Sequence, residues 1–101
     1  MMFYTDNKIN NLLINHSIII MLFFSIYSYH YIKGKDEHFT YPHDIHNLWD
    51  IFYYTMTTHS TTGYGDISPK STQMRIVTSI HMLCVVILSI HLYYVLFQNK
   101  S

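Results

Sequence analysis

Two long apolar segments make up almost half of this chain. Residues 12–32 and 72–97 are rich in Ile, Leu, Val, Phe and Tyr, and their one charged residue is Arg75, near the start of the second segment. A helix rises 1.5 Å per residue, so each segment reaches the roughly 30 Å thickness of a bilayer's hydrocarbon core. We therefore predict an all-α membrane protein with two spanning helices.

The composition agrees with contact to lipid. Half of the 101 residues are hydrophobic, 12% are charged and the formal net charge is zero, so we expect one domain, residues 1–101, and no nucleic-acid partner. A cleaved signal peptide is the alternative interpretation of the first segment, but the run is too long and no small-x-small cleavage site follows it. The lone Cys84 lies in an apolar run, which favours a packed small residue over a disulfide.

A polar connector and a short helix separate the two apolar segments. Residues 33–47 carry charges, a glycine and a proline without apolar periodicity, and predict an exposed loop. Asn47 and Asp50 stand at the N-cap and third positions of a capping box before an aromatic run. The spacing predicts a helix over 48–59, too short to cross a membrane.

The stretch from Thr58 to Asp66 follows this helix and reads Thr-His-Ser-Thr-Thr-Gly-Tyr-Gly-Asp. Two glycines separated by one residue permit backbone conformations that L-residues resist, so successive carbonyls can point at one axis. A potassium ion can exchange its water shell for rings of such carbonyls. The partial negative charge at the carboxyl end of the preceding helix favours a cation there.

This stretch resembles the potassium-channel signature. The order of helix, loop, short helix, filter and helix resembles in particular the miniature potassium channels of large algal viruses, from about Leu12 to Leu92. The resemblance implies a homotetramer, because one loop supplies a quarter of each oxygen ring. It implies an outer helix at 12–32, a turret loop at 33–47, a re-entrant pore helix at 48–59, a selectivity filter at 60–66 and an inner helix at 72–97.

The same resemblance assigns roles to individual filter residues. Four backbone carbonyls are implied to bind K⁺, with the Thr61 hydroxyl as a further ligand: Thr61, Thr62, Gly63 and Tyr64. Five residues are implied to support the filter: Tyr53, Tyr54, Thr58, Gly65 and Asp66. The two aromatic residues of this set would pack around the filter tyrosine, although filling a core between helices explains them as well.

One filter position departs from the family pattern, and one position of the preceding helix bears on the filter aspartate. Thr62 stands where Val or Ile is usual, so its hydroxyl must find a partner. Thr57 stands where some channels have a glutamate that pairs with the filter aspartate, and we expect Asp66 to lack that partner.

The second apolar segment contains neither glycine nor proline, so a sharp bend is not expected. By resemblance, the position of the family's hinge glycine is Val85, and one helical face then presents Val86, Ser89 and Tyr93 as the pore wall. Packing between helices is the alternative for the tyrosine. His81 and His91 are costly in lipid, and we expect them to face other subunits or water.

Other polar and aromatic residues allow further interpretations. Tyr27, Tyr29 and Tyr31 are typical of a belt at the membrane interface. Three histidines of the polar loop, His38, His43 and His46, could bind a transition metal, but a solvated loop explains them as well.

The function predicted from these features is a potassium-selective pore that conducts K⁺ passively, with permeant K⁺ and lipid as partners and no cofactor. A non-conducting membrane subunit and a poorly selective cation pore remain alternatives. An enzyme has no support, because the sequence offers no nucleophile and base in a plausible pocket.

The viral family implies a role in depolarising the host membrane. It also implies a place in the host cell membrane or an internal virion membrane, with both termini cytoplasmic. Lysine and arginine oppose this orientation, since Lys33, Lys35, Lys70 and Arg75 fall on the filter side. We follow the family, because the filter motif is more specific than a charge count, and then expect the glycosylation-like triplets at 15–17 and 99–101 to be silent.

Overall fold

A computed structural model describes residues 2–44 and 46–98, with the side chains of residues 8–34, 36–44 and 46–98. Within these described residues, three helices and two very short strands follow in the order α1 (Met2–His38), β1 (Phe39–Thr40), α2 (Leu48–His59), β2 (Ser68–Pro69) and α3 (Thr72–Gln98). The molecule measures 52 × 19 × 19 Å, so its long axis exceeds the roughly 30 Å hydrocarbon core of a bilayer. The triplet at 99–101 lies outside the described residues.

The outer helix is longer than the predicted 12–32. The apolar pattern marks the part that suits lipid, whereas the helix continues beyond both of its ends, and past the second end Lys33 and Glu37 are polar residues that form helices well. Within α1, the part that is long and apolar enough to cross a membrane is Lys8–Gly34.

The predicted loop at 33–47 was therefore too long at its first end. Its first residues are helical, and β1 pairs antiparallel with β2, with Phe39 opposite Pro69 and Thr40 opposite Ser68. Phe39 is buried, and the Lys70 amide donates to the carbonyl of His38 at 2.7 Å. These contacts tie the connector to the segment after the filter loop.

The short helix α2 has the predicted bounds, because its first turn is capped as the sequence indicated. The Trp49 amide donates to the Asn47 side chain at 2.9 Å, and the Asn47 amide donates to the Asp50 carboxylate at 2.8 Å. Two amides that no helical carbonyl can reach are thereby satisfied.

The helix α3 extends one residue beyond the predicted 72–97. The Ser71 hydroxyl accepts from the Met74 amide at 3.1 Å and caps its start. Only 17% of the most apolar stretch of α3 is buried, and only 11% of the corresponding stretch of α1 is buried. The core helix of a soluble protein would bury most of this surface, so these exposed apolar faces suit lipid or other subunits.

The core lies where all three helices meet, at the end of the molecule that carries the strands. Eight buried residues form it: Phe23, Tyr27, Tyr31, Phe39, Ile51, Tyr54, Ile67 and Met74. The predicted tyrosine belt was wrong for Tyr27 and Tyr31, which are 0% and 6% exposed, whereas Tyr29 is 58% exposed. Residues four apart share one face of a helix, so the first and third tyrosines point inward together.

Candidate functional site

The filter loop, residues 60–66, is anchored to the carboxyl end of α2. The amides of Thr62 and Gly63 both donate to the carbonyl of Thr57, at 3.0 and 3.1 Å, and the Thr61 amide donates to the carbonyl of Thr58 at 3.2 Å. Carbonyls of the last turn of a helix lack partners within the helix. The loop supplies those partners, and its start is therefore fixed relative to α2.

The backbone of the filter loop alternates in the sign of φ. It is positive at Thr61, Gly63 and Gly65, with values of 61°, 55° and 83°, and not at the residues between them. Regular strands turn successive carbonyls to opposite sides, and this alternation permits carbonyls to share one side. An added Cβ at either glycine would meet nothing within 4 Å, so conformation rather than space calls for glycine there.

Thr61 is the unexpected member of this set. A β-branched residue rarely adopts positive φ, so the backbone of Thr61 is strained. Such strain is found at functional sites, where the surrounding structure holds the backbone in place. Its hydroxyl donates to the carbonyl of Ser60 at 2.6 Å, which leaves the oxygen lone pairs available.

The hydroxyl of Thr62 has a partner. Its oxygen lies 2.8 Å from the Ser60 hydroxyl, and either group can donate. Ser60 is also the C-cap of α2, with its amide bonded to the carbonyl of Met56 at 2.9 Å. The added hydroxyl at this position is thus satisfied within the same turn.

Tyr53 contacts the outer part of the filter loop. Its hydroxyl donates to the Asp66 carboxylate at 2.8 Å, and its ring is parallel to that of Tyr64, with centroids 6.4 Å apart. The hydrogen bond to the carboxylate raises the pKa of the Tyr53 phenol, which therefore remains a donor. The hydrogen-bond partner of the Asp66 carboxylate is therefore a tyrosine of α2.

Tyr54 belongs to the core instead of touching the filter tyrosine. It is buried, its hydroxyl lies 2.6 Å from the hydroxyl of Thr78 on α3, and its ring packs edge-on against Tyr27 and Phe39. Within the single chain, Tyr54 therefore fills the core between helices, and Tyr53 contacts the filter loop.

A groove of about 400 Å³ runs between the filter loop and α3. The predicted pore-wall residue Val86 lines it together with Thr61 and Gly63, which places this part of α3 beside the filter. Ser89 and Tyr93 are exposed farther along α3, and the Tyr93 ring lies 4.4 Å from that of Phe97. Val85 is buried against the rest of the chain.

The three loop histidines do not converge. His38 hydrogen-bonds the Ser71 hydroxyl, His46 stacks on Tyr41 with centroids 3.8 Å apart, and His43 is exposed. Within the described residues, no group of three His, Cys, Asp or Glu side chains is placed to hold a metal ion.

His81 faces its own subunit, so the expectation for this residue was wrong. It is 0% exposed and hydrogen-bonds both Tyr27 of α1 and His59 of α2. Sequence reasoning did not single out His59, because no motif or periodicity links a histidine in the short helix to one 22 residues later. His91 is exposed in the single chain.

Comparison with protein families agrees with this architecture. Residues 16–99 match the model of a family described as ion channel, and the chain therefore belongs to the ion channel family. It is a pore-forming membrane protein and not an enzyme.

One relative narrows the comparison. The chain is 36% identical over 72 residues to potassium channel protein kcv of Paramecium bursaria Chlorella virus 1, across 69% of this chain and 76% of the relative. This agrees with the resemblance to the miniature viral channels. A comparison with solved structures gave no match.

Proposed function

We propose that this chain is the pore subunit of a potassium-selective channel that conducts K⁺ passively. The observation that carries the proposal is the alternation of φ along the filter loop, positive at residues 61, 63 and 65. It is the backbone geometry that a stack of carbonyl oxygens needs. The similarity to a viral potassium channel supports the same ion.

The proposed K⁺ ligands are the carbonyls of Thr61, Thr62, Gly63 and Tyr64. The Thr61 hydroxyl adds an oxygen at the inner end, because its proton is directed at the Ser60 carbonyl and its lone pairs remain available. The anchoring of two filter amides on Thr57 and the Tyr53–Asp66 bond support the loop from its two ends. Such support restricts movement of the loop, which favours the ordered carbonyl rings that replace the hydration shell of K⁺.

The pore is proposed to be a homotetramer. One loop provides one quarter of each oxygen ring, and in the single chain the whole filter loop is exposed, with Tyr64 at 69%. Lipid does not satisfy exposed carbonyls, so the loops require one another around a water-filled axis. The groove beside Val86 offers each subunit a concave face next to that axis.

The decisive experiment is a reversal-potential measurement on purified protein in a planar bilayer, with K⁺ on one side and Na⁺ on the other. A potassium-selective pore drives the reversal potential toward the K⁺ equilibrium potential. A reversal potential near zero would instead identify a poorly selective cation pore, and the absence of current would identify a non-conducting subunit.

We further propose a viral channel that depolarises the host membrane, in the host cell membrane or an internal virion membrane, with both termini cytoplasmic. The viral source of the relative supports the first part. The orientation runs against the lysines and arginine on the filter side. Antibody access to a C-terminal tag on intact cells tests it, because a cytoplasmic terminus becomes stainable only after permeabilisation.

A further inference from the structure

Two histidines near the carboxyl end of α1 meet over a glycine. His30, Gly34 and His38 follow one another at intervals of four residues and so share one face of the helix. The imidazole rings of His30 and His38 are nearly perpendicular, at 87°, with centroids 4.9 Å apart. A Cβ at Gly34 would lie 2.9 Å from His38 Cδ2, so the missing side chain at Gly34 leaves the space in which the His38 ring lies.

Each of the two rings has its Nδ1 atom held by another part of the protein. His30 Nδ1 lies 2.9 Å from the carbonyl of Ile26, and because a carbonyl only accepts, this nitrogen carries the proton. The lone pair of the neutral His30 ring is therefore on Nε2. His38 Nδ1 lies 2.7 Å from the Ser71 hydroxyl, and its Nε2 lies on the side of Gly34, 3.1 Å from the Cβ position. Histidines that bind metals commonly have the second ring nitrogen bonded in this way.

The separation of the rings suits one shared metal ion. With a Zn–N distance of about 2.0–2.1 Å, the metal lies roughly 3.2 Å from the centroid of each imidazole that binds it. Two such rings at an N–Zn–N angle of about 90–110° have centroids roughly 4.5–5.2 Å apart. The observed 4.9 Å falls within this range. Imidazole nitrogen is a good ligand for Zn²⁺, Cu²⁺ and Ni²⁺.

Charge and position also favour a cation at this place. Glu37 Oε2 lies 3.3 Å from the Cβ position of Gly34, so a carboxylate is next to the two rings. The part of α1 that can cross a membrane ends at Gly34, and both imidazoles are only half-buried. An ion can therefore approach from the aqueous side.

His38 also joins α1 to the start of α3. Its carbonyl accepts from the Lys70 amide at 2.7 Å, and the Ser71 hydroxyl that meets its ring also caps α3. A metal ion on Nε2 would fix the ring in the orientation that bonds Ser71. Binding and this junction would then stabilise each other.

We propose that His30 and His38 form a binding site for one divalent transition-metal ion such as Zn²⁺, held by both Nε2 atoms at the filter-side end of α1. Within the described residues no group of three His, Cys, Asp or Glu side chains is placed to hold a metal ion, so water completes the coordination. With two protein ligands, the site binds more weakly than a structural zinc site with four.

The test is a calorimetric titration of the purified full chain in detergent with Zn²⁺, at about pH 7.5, where free histidine is neutral. We expect saturable binding in the parent. His30→Gln and His38→Gln should each weaken it by at least about tenfold, since even the loss of an outer partner of a metal ligand has an effect of this size. His43→Gln is the matched control, because His43 is an exposed histidine of the connector outside this pair, and its affinity should equal that of the parent.

Gly34→Ala tests the geometry while keeping both imidazoles. The added Cβ would lie 2.9 Å from His38 Cδ2, so the ring must move away and Zn²⁺ binding should weaken about tenfold. The same Zn²⁺ affinity in this variant and the parent would show that the two rings do not share an ion. The proposal would also be overturned by a parent that binds no Zn²⁺ below about 1 mM, or by parent-like binding in His38→Gln.

A second measurement identifies the ligands in the parent protein. In ¹⁵N NMR of histidine-labelled protein, Zn²⁺ should shift the Nε2 signals of two imidazoles together, and these should be the signals that disappear in His30→Gln and His38→Gln. Shifts confined to other histidines would refute the site. Neither measurement uses K⁺ current, so this inference and the proposed channel function can fail separately.

Discussion

The filter loop requires a positive φ at Gly63. Its φ of 55° is costly for an L-residue, although an added Cβ would meet no atom within 4 Å. Gly63→Ala should lower the permeability ratio of K⁺ to Na⁺ by at least about tenfold. The variant should still assemble. Reversal potentials in mixed K⁺ and Na⁺ measure this.

The matched control for Gly63 is D-alanine at the same position, introduced by chemical ligation. It adds the same methyl group but prefers positive φ, so selectivity should be retained. If both forms of alanine were equally selective, the backbone conformation at Gly63 would be irrelevant to the ion pathway.

Tyr53 and Asp66 make the one described side-chain hydrogen bond between α2 and the outer filter loop. Tyr53→Phe keeps the ring that faces Tyr64 but removes the donor, so the carboxylate loses its partner and the outer filter is held less firmly. We expect shorter openings in single-channel recordings. Tyr29→Phe, at an exposed position of α1, is the control. Unchanged open times in Tyr53→Phe would show that this hydrogen bond does not stabilise the open filter.

At the level of elements, α2 depends on its capping box. Asn47→Ala removes the acceptor for the Trp49 amide and should destabilise the folded protein by about 1 kcal/mol. Thermal unfolding in detergent measures the loss. Asn10→Ala, an exposed change within α1, should not reproduce it, and equal stability of Asn47→Ala and the parent would show that the cap contributes nothing.

The second half of α3 carries the predicted pore wall. Tyr93 is 64% exposed and follows Val86 and Ser89 along the proposed pore wall, so four copies would put a ring of phenols there. Tyr93→Ala should raise single-channel conductance on the order of two-fold with little change in selectivity. Tyr94 is 60% exposed and points about 100° away around the helix. Tyr94→Ala should therefore leave conductance unchanged, and an increase in that variant alone would assign the wall to the other face.

At the scale of the whole molecule, the single chain is incomplete. Its filter loop is exposed, and so is most of the apolar surface of both long helices. Chemical cross-linking in mild detergent should yield a ladder that ends at four copies. A stable monomer or dimer that still conducts K⁺ would contradict the tetramer. The reversal-potential experiment on the same preparation shows whether the species conducts K⁺.

The sequence was sufficient for properties that depend on local chemistry. Apolar length predicted two helices that can span a membrane, the capping box predicted the start of α2, and the glycine spacing predicted a loop with unusual backbone angles. Each of these follows from residues close together in the chain, so no knowledge of distant contacts is needed.

Only the tertiary structure decided which partners the polar and aromatic side chains find. A tyrosine at the end of an apolar run suits either an interface or a core, and Tyr27 and Tyr31 lie inside because their common face meets α2 and the filter-side connector. The polar residues past Ile32 ended the apolar run but not the helix, because side-chain polarity does not prevent helical hydrogen bonding. The meeting of His16, His59 and His81 depends on how three helices pack, since the separations along the chain are 43 and 22 residues and follow no local period.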